Sequence, residues 1–269
     1  MWRLGYEIPV VSIVAIELRD LWQRGTWESD GQVGLNVYNT GDFVLIANRW
    51  WALPGYQWKL YSLTSKLLMK TAWDDCGVIV KGEKGEPHIL ICEYDRVVCE
   101  PLIPYLAERA PRGAAVRTVM SLEERPTLGD LREWIENQKR KTPTPWTMFK
   151  VAAYDSTEEA EQYRWAVEAS NAAWNYRRKQ VDGASLQAME ESKQIFLDAN
   201  LMAEERAKLL SPHPPNLLFN SSLVAELAQR AKVLVSGSPK STKYAPPDFA
   251  FPLPLLNAKA STPLVVWKT

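Results

Sequence analysis

Short apolar runs separated by turn-forming residues dominate the first half of the chain. Five runs have this form: Phe43–Ala47, Val78–Val80, Ile89–Ile91, Val97–Cys99 and Ala114–Val119. The second and third runs are joined by Lys81–Pro87, a stretch with two glycines that is typical of a β-hairpin. Strands in series with short links between them predict a small antiparallel sheet.

Helical periodicity marks three other regions. Leu60–Met69 carries leucines at positions 60, 63, 67 and 68 on one helical face, and Leu128–Lys139 has a similar apolar face. A polar start at Asp155 opens a charged helical stretch that runs to Leu210, with a break at Asp182-Gly183. We interpret residues 151–210 as a helical insertion that either folds onto its own domain or provides a docking element.

The two ends of the chain predict contacts of different kinds. Within residues 1–38, the apolar segment 8–22 is too short for a transmembrane helix and lacks the basic start and cleavage site of a signal peptide. It predicts a buried N-terminal helix or a helix that docks on a partner. Peripheral membrane contact is a minor alternative that the sequence does not indicate. Residues 251–269 form a proline-rich tail that would fray when free, so we expect a partner to hold it.

Composition and charge narrow the classes of function. The 269 residues, 46% hydrophobic and 24% charged, suit one large domain or a domain with an insertion. The formal net charge is zero, so no electrostatic footprint for nucleic acid is visible. Three cysteines are too few for a disulfide framework, and we expect buried thiols in an intracellular protein. Because His88, Cys92 and Cys99 lack the paired spacing of a metal site, no metal or cofactor is predicted.

Three separated blocks carry a family resemblance. The first is Thr40–Ile46, in which Gly-Asp precedes an apolar strand, the second is Trp73–Val80, and the third is Phe219–Ala225, followed by Tyr244–Phe249. In this order they resemble the motifs of the circularly permuted NlpC/P60 branch of the papain-like fold. The resemblance implies an α+β fold, with residues 39–150 and 211–250 forming a domain whose small antiparallel, barrel-like sheet packs on helices.

Both catalytic positions of that family differ in this chain. The resemblance places Asp75 where the family has its histidine base, Asn220 where it has its cysteine nucleophile, and Cys92 or Glu93 where a polar residue orients the histidine. A carboxamide has no ionisable proton and negligible nucleophilicity, and an ordinary aspartate has a pKa near 4. The resemblance therefore implies an inactive site in which Asp75 and Asn220 face each other, with Asn220 at a helix N-terminus.

Two functions from different classes follow from these residues. The first is a catalytically inactive domain retained as a structural or accessory subunit of a larger protein assembly, with the mitochondrion as the expected organelle. The second is a cysteine-independent hydrolase or acyl-processing enzyme with a rearranged site. That site would pair Ser221 or Ser222 with His88 or His213, and it requires a serine oxygen within hydrogen-bond reach of a histidine ring nitrogen.

The tryptophan content leaves a further function open. The chain has twelve tryptophans, of which Trp50, Trp51, Trp58 and Trp73 lie around the first two blocks. Tryptophan combines a large apolar area with a polar N–H group, so such a cluster suits either a core or a protein contact. A lipid- or peptide-binding module would instead line the former catalytic cleft with Trp50, Trp51 and Trp73.

Overall fold

An open antiparallel sheet of six strands organises this α+β fold. The computed structural model describes residues 13–19, 22, 38–94, 96–121, 124–143, 157–209, 217–235, 237–238, 241–250, 253, 255, 258–261 and 263–268. The strands are β1 (Phe43–Ala47), β2 (Asp75–Lys81), β3 (Pro87–Cys92), β4 (Val97–Pro101), β5 (Gly113–Arg117), β6 (Val119–Ser121), β7 (Thr142–Pro143), β8 (Leu217–Leu218), β9 (Ala258–Ala260) and β10 (Leu264–Lys268). The helices are α1 (Gly55–Met69), α2 (Leu102–Arg109), α3 (Leu128–Gln138), α4 (Thr157–Val181), α5 (Leu186–Leu209) and α6 (Asn220–Arg230). The six strands of the main sheet lie in the order β10-β5-β1-β2-β3-β4.

Both faces of the main sheet are covered by other parts of the chain. Alternate residues of β1 enter different apolar clusters, Phe43 and Leu45 on one face and Val44 and Ile46 on the other. Side chains of α6 complete the first cluster, and side chains of α2 complete the second. A barrel would instead turn one face inward upon itself. The antiparallel pairing is therefore confirmed, whereas the expectation of a barrel-like sheet is wrong because the sheet is open.

The predicted strands are present, with one division. Phe43–Ala47 is β1 as predicted, and the next three runs lie within β2, β3 and β4. The fifth run divides at Thr118 into β5, which belongs to the main sheet, and β6, which pairs with β9. The backbone N–H of Val119 donates to the buried carboxylate of Asp42 at 2.8 Å. This bond diverts the chain from its partner strand, which explains why the single predicted strand becomes two.

Helix α6 lies against the sheet along most of its length. Eight of its eleven residues are buried, and Leu223 and Val224 enter the same cluster as Cys76 of β2. This packing fixes the helix so that its first residue, Asn220, reaches the first residue of β2, Asp75. The candidate site forms where these two elements begin.

Helix α1 is present where helical spacing predicts it, but its leucine face points outward. Leu60, Leu67 and Leu68 are 48%, 49% and 62% exposed, whereas the buried positions are Tyr61, Ser62, Ser65 and Lys66. An amphipathic helix ordinarily buries its apolar stripe. Here the ordinary orientation is reversed.

The reversal follows from the hydrogen-bonding needs of buried polar groups beneath α1. The hydroxyl of Ser62 donates to the carboxylate of Asp74, and the ammonium of Lys66 donates to the backbone carbonyl of Asn48 at 2.8 Å. A buried carboxylate that lacks hydrogen-bond donors costs several kcal/mol, which is comparable to the burial forgone by the exposed leucines of α1. The polar face of α1 is therefore the buried one.

The helical insertion forms a hairpin that packs on its own domain. Helices α4 and α5 bury small residues against each other, and Ala166, Ala169 and Ala199 form a cluster with Val235 from the chain after α6. The side-chain amide of Gln162 donates to the carbonyls of Gly237 and Ser238 at 3.1 and 3.0 Å. These contacts agree with the first of the two alternatives for residues 151–210, which is a helical hairpin folded onto its own domain.

The N-terminal segment is described in part. Residues 13–19 are helical, with Ile16 buried, while the remainder of the apolar segment, except Trp22, lies outside the described residues. Glu17 accepts a hydrogen bond from Trp50 and forms an ion pair with Arg112, and Arg19 donates to the carbonyl of Thr71. Among the described residues, helices long and apolar enough to cross a bilayer are absent.

The C-terminal tail is held by this chain itself. Strand β10 pairs with β5 at one edge of the main sheet, and β9 pairs with β6. The guanidinium of Arg117 donates to the carbonyls of Phe249 and Ser261 at 3.0 and 2.9 Å, and Ser170 of α4 donates to the carbonyl of Leu255. These bonds within the chain fix the tail, a role that the sequence analysis assigned to a partner. The order of the tail therefore requires no second protein.

Replacing Arg117 with methionine should therefore loosen the tail and destabilise the fold. The change leaves two buried carbonyls without their charged donor, and we expect the free energy of unfolding to fall by about 2–4 kcal/mol. Urea titration followed by circular dichroism measures it. Arg132→Met on the exposed side of α3 is the matched control. Equal, small losses in both variants would show that Arg117 does not hold the tail.

Candidate functional site

The site predicted from the motifs centres on a direct contact between Asp75 and Asn220. The side-chain amide of Asn220 donates to Oδ1 of Asp75, which confirms that the two residues face each other. Asn220 is the first residue of α6, and its own side-chain oxygen accepts a bond from the backbone N–H of Ser221 at 2.8 Å. The predicted position at a helix N-terminus is thus also confirmed.

The carboxylate of Asp75 is buried but incompletely compensated. It accepts bonds from the backbone N–H of Cys76 at 2.9 Å and from the side-chain amide of Asn48 at 3.4 Å, in addition to Asn220. Burial raises the pKa of Asp75 to about 6, although the nearby charge of Arg109 and the bond from Asn220 act to lower it. This carboxyl therefore changes charge close to neutral pH.

A second carboxylate, Asp74, lies beside it with a fuller set of donors. It accepts bonds from the backbone N–H of Asn48 at 2.8 Å and from the hydroxyl of Ser62, and its backbone carbonyl accepts a bond from Tyr61 at 3.1 Å. Asn48 thus bridges the two carboxylates, since its backbone serves Asp74 and its side chain serves Asp75. Lys66, fully buried, donates to the carbonyl of the same asparagine.

The structure brings all four predicted site residues to one small cavity. Asp75, Cys92, Glu93 and Asn220 line a space of about 20 Å³, which is room for a single water molecule. Cys92 is buried, and burial raises the pKa of its thiol, so it is not a poised nucleophile. The end of β3, at residues 92–93, therefore lies beside the contact between Asp75 and Asn220.

Glu93 serves a different partner from the one the family resemblance implies. Its carboxylate accepts bonds from Arg109 at 2.9 Å and from Arg96 at 3.3 Å. The guanidinium of Arg109 also lies over the ring of Tyr94, 4.3 Å from its centre. Glu93 therefore positions Arg109, whose charge acts on Asp75. The family resemblance would instead have Glu93 or Cys92 orient a histidine.

Aromatic rings close the small cavity. Trp58 contacts Tyr61 and Tyr94 edge to face, with ring centres 6.2 and 5.4 Å apart, and Tyr61 contacts Phe219 at 5.2 Å. All four rings line the cavity. Trp50, Trp51 and Trp73 are absent from its described lining, so the expectation that they line the cleft is wrong and Trp58 takes that place.

A larger cleft adjoins this cavity. Its volume is about 420 Å³, and it shares Asn48, Leu53, Glu93, Tyr94 and Arg109 with the small cavity. Its lining mixes both signs of charge, since three arginines and three glutamates belong to it. The size is that of a small-ligand site, while the mixed charge selects neither anions nor cations.

The serines do not form the alternative catalytic pair within the described residues. The hydroxyl of Ser222 is committed to the start of α6, since it accepts from the backbone N–H of Phe219 and donates to the carbonyl of Phe219. The hydroxyl of Ser221 is buried and has no hydrogen-bond partner among the described residues. His88 lies on β3 with Nδ1 3.4 Å from the carbonyl of Glu86, and His213 lies outside the described residues.

Two further motif segments pack against the strands beside the site without lining its cavity. The Gly-Asp block places Asp42 at the start of β1, where its buried carboxylate binds Arg125 and two backbone N–H groups, so that this residue is structural. The last block, Pro246–Ala250, packs the ring of Phe249 against Phe43, 5.0 Å between ring centres. The first and last motif blocks therefore contribute to the core on one face of the sheet.

Comparison of the chain with protein-family models, with curated proteins and with solved structures finds no match in any of the three. The resemblance to the permuted NlpC/P60 family therefore depends on the motifs and on the geometry they produce, and it stays a prediction. Among the described residues, His, Cys, Asp and Glu side chains form no group of three that could hold a metal ion.

Asp75→Asn should stabilise the protein in a pH-dependent way. The folded carboxyl binds its proton more tightly than the unfolded one, because its pKa is raised from 3.8 to about 6. Its contribution to stability is present below the unfolded pKa and is lost as the pH rises through 6. The variant should therefore gain stability over the wild type as the pH rises from about 4 to about 8, reaching at most about 3 kcal/mol.

Urea unfolding at several pH values measures this difference. Asp130→Asn is the control, since hydrogen bonds from Thr127 lower the pKa of the exposed Asp130. Its effect should not grow with pH over the same range, because Asp130 is already ionised there. An Asp75→Asn effect that stays constant with pH would show that this carboxyl is not strained by burial.

Proposed function

We propose that this chain is a catalytically inactive domain of the permuted NlpC/P60, papain-like type that acts as a structural or accessory subunit of a larger protein assembly. The contact between Asn220 and Asp75 carries the proposal. It occupies the position where a hydrolase of that type joins its nucleophile to its base, and it consists of a carboxamide and a carboxylate. A fold whose site has lost its chemistry can persist as a binding component.

The geometry around the contact supports the absence of hydrolysis. Asn220 cannot form a covalent intermediate, and the neighbouring hydroxyl of Ser222 is used to start α6. Burial raises the pKa of the thiols of Cys76 and Cys92 well above their ordinary value, so both stay protonated and unreactive at neutral pH. The cavity beside the contact holds no more than one water.

Exposed apolar side chains support the role of a subunit. Large hydrophobic residues are exposed in three regions: the N-terminal segment, the surroundings of α1, and the hairpin of α4 and α5. They are Val14, Leu18 and Trp22 in the first, Trp51, Tyr56, Leu60, Leu67 and Leu68 in the second, and Val181, Leu186, Ile195, Leu197, Leu201 and Leu209 in the third. Concentrations of apolar surface of this kind are typical of protein contacts. An intracellular, mitochondrial assembly is the setting that we propose.

Native fractionation combined with active-site labelling tests the proposal. A tagged chain in a mitochondrial extract should elute well above its own mass of 30.6 kDa and should carry no label after treatment with a fluorophosphonate probe. Ser221→Ala should fractionate in the same way. Elution at the mass of the free chain would contradict the subunit role, and a stoichiometric adduct on Ser221 or Ser222 would contradict the loss of chemistry.

A double substitution tests the correspondence with the family site. With Asp75→His and Asn220→Cys together, the introduced thiol should ionise as part of a thiolate–imidazolium pair at a helix N-terminus. Its pKa should then be at least about 2 units below that in Asn220→Cys alone. Thiolate absorbance titration, with the wild type subtracted, measures both. Equal pKa values would show that positions 75 and 220 do not have the geometry of a catalytic pair.

A further inference from the structure

The outer face of α1 carries a continuous apolar stripe. Tyr56, Leu60, Leu63 and Leu67 succeed one another at intervals of four, three and four residues. At 3.6 residues per turn they fall within about 60° of one another and extend along about 17 Å of the helix. Tyr56 is 75% exposed, Leu60 and Leu67 are about half exposed, and Leu63 is partly exposed.

The width of this stripe favours a helical partner. A helix that lies on a lipid surface or against a broad core needs an apolar face of about 100° or more, whereas the seam between two paired helices is narrower. Thr64 and Gln57 bound the stripe on one side and separate it from the exposed Leu68, and Lys59 and Lys70 bound it on the other, so the stripe itself has the narrow form. Alternating intervals of three and four are the spacing of helix pairing.

The charges beside the stripe restrict the partner further. Helix α1 contains no acidic residue, while Lys59 and Lys70 flank the stripe on the same side. Neither lysine forms an ion pair with a carboxylate that the structure describes. Two copies of α1 paired antiparallel would bring these lysines together, and a parallel pair would give them no carboxylate, so neither arrangement favours a second copy of this chain.

We propose that the outer face of α1 is a docking surface for an amphipathic helix of another protein, whose apolar seam is flanked by aspartate or glutamate. The inference rests on the proposed function, because it names the class of partner that an accessory subunit would bind. It also explains the orientation of α1. The polar face is retained inside by Asp74 and Asn48, and the leucines are thereby left available to a partner.

Two synthetic helical peptides of about three heptads test the proposal. Both carry a leucine seam, and they differ in having either glutamate or lysine at the flanking positions. Titration calorimetry with the full chain should show binding of the glutamate peptide and at least tenfold weaker binding of the lysine peptide. Leu60→Glu and Leu67→Glu should each weaken binding of the glutamate peptide at least tenfold, and the Lys59→Glu, Lys70→Glu double variant should reverse the preference.

Ile195→Glu on α5 is the matched control, since Ile195 is an aliphatic residue that is 62% exposed but lies outside the stripe, and it should leave binding unchanged. Circular dichroism confirms that every variant is folded. Equal binding of the two peptides, or none, would overturn the proposal. So would Leu60-dependent sedimentation with phosphatidylserine vesicles, which indicates a lipid surface, or self-association that Leu67→Glu abolishes, which indicates a second copy. These outcomes leave the proposed function standing, because fractionation and labelling test that separately.

Discussion

Two adjacent buried carboxylates at the start of β2 impose the constraint on which the rest of the site depends. Asp74 and Asp75 lie below the surface, and each must find hydrogen-bond donors there. The donors come from separate elements: the chain after β1 supplies Asn48, α1 supplies Ser62, and α6 supplies Asn220. Satisfying two negative charges therefore draws the turn after β1 and two helices together around the first residues of one strand.

This constraint outweighs hydrophobic patterning in one helix. The leucines of α1 would normally face the core, yet Ser62 and Lys66 occupy that side because Asp74 and the carbonyl of Asn48 need their hydrogens. An exposed leucine forfeits about 2 kcal/mol of burial, and an unpaired buried charge is several times more unfavourable. The hydrogen bonds that hold the polar face of α1 inside also leave its apolar stripe on the surface. That stripe is the feature on which the proposed docking of a partner helix depends.

Local pattern predicted the elements, and non-local chemistry decided how they are oriented. The strands were visible as short apolar runs between turn-forming residues and the helices as a period of 3.6, because both signals are set by neighbours in sequence. The pairing of positions 75 and 220 followed from the order of the motif blocks. The roles of Asn48 and Lys66 could not be predicted, since they depend on groups at a sequence distance of 18 to 27 residues. Strand β10 was hidden in a proline-rich tail, although Leu264–Trp267 is itself a strand-like apolar run.

Under the proposed function, the site shows how a fold can be retained after its catalytic residues have been replaced. A catalytic pair at these positions would join the first turn of α6 to the start of β2 through a hydrogen-bonded contact, and Asn220 with Asp75 provides such a contact without a nucleophile. The replacement is not free of strain, because burial leaves the pKa of Asp75 raised to about 6. Position 75 therefore keeps a carboxyl that an amide would replace with a gain in stability at neutral pH. The packing alone would not select this residue, and the nearby charge of Arg109, which acts to lower its pKa, is a described group that favours a carboxylate at this position.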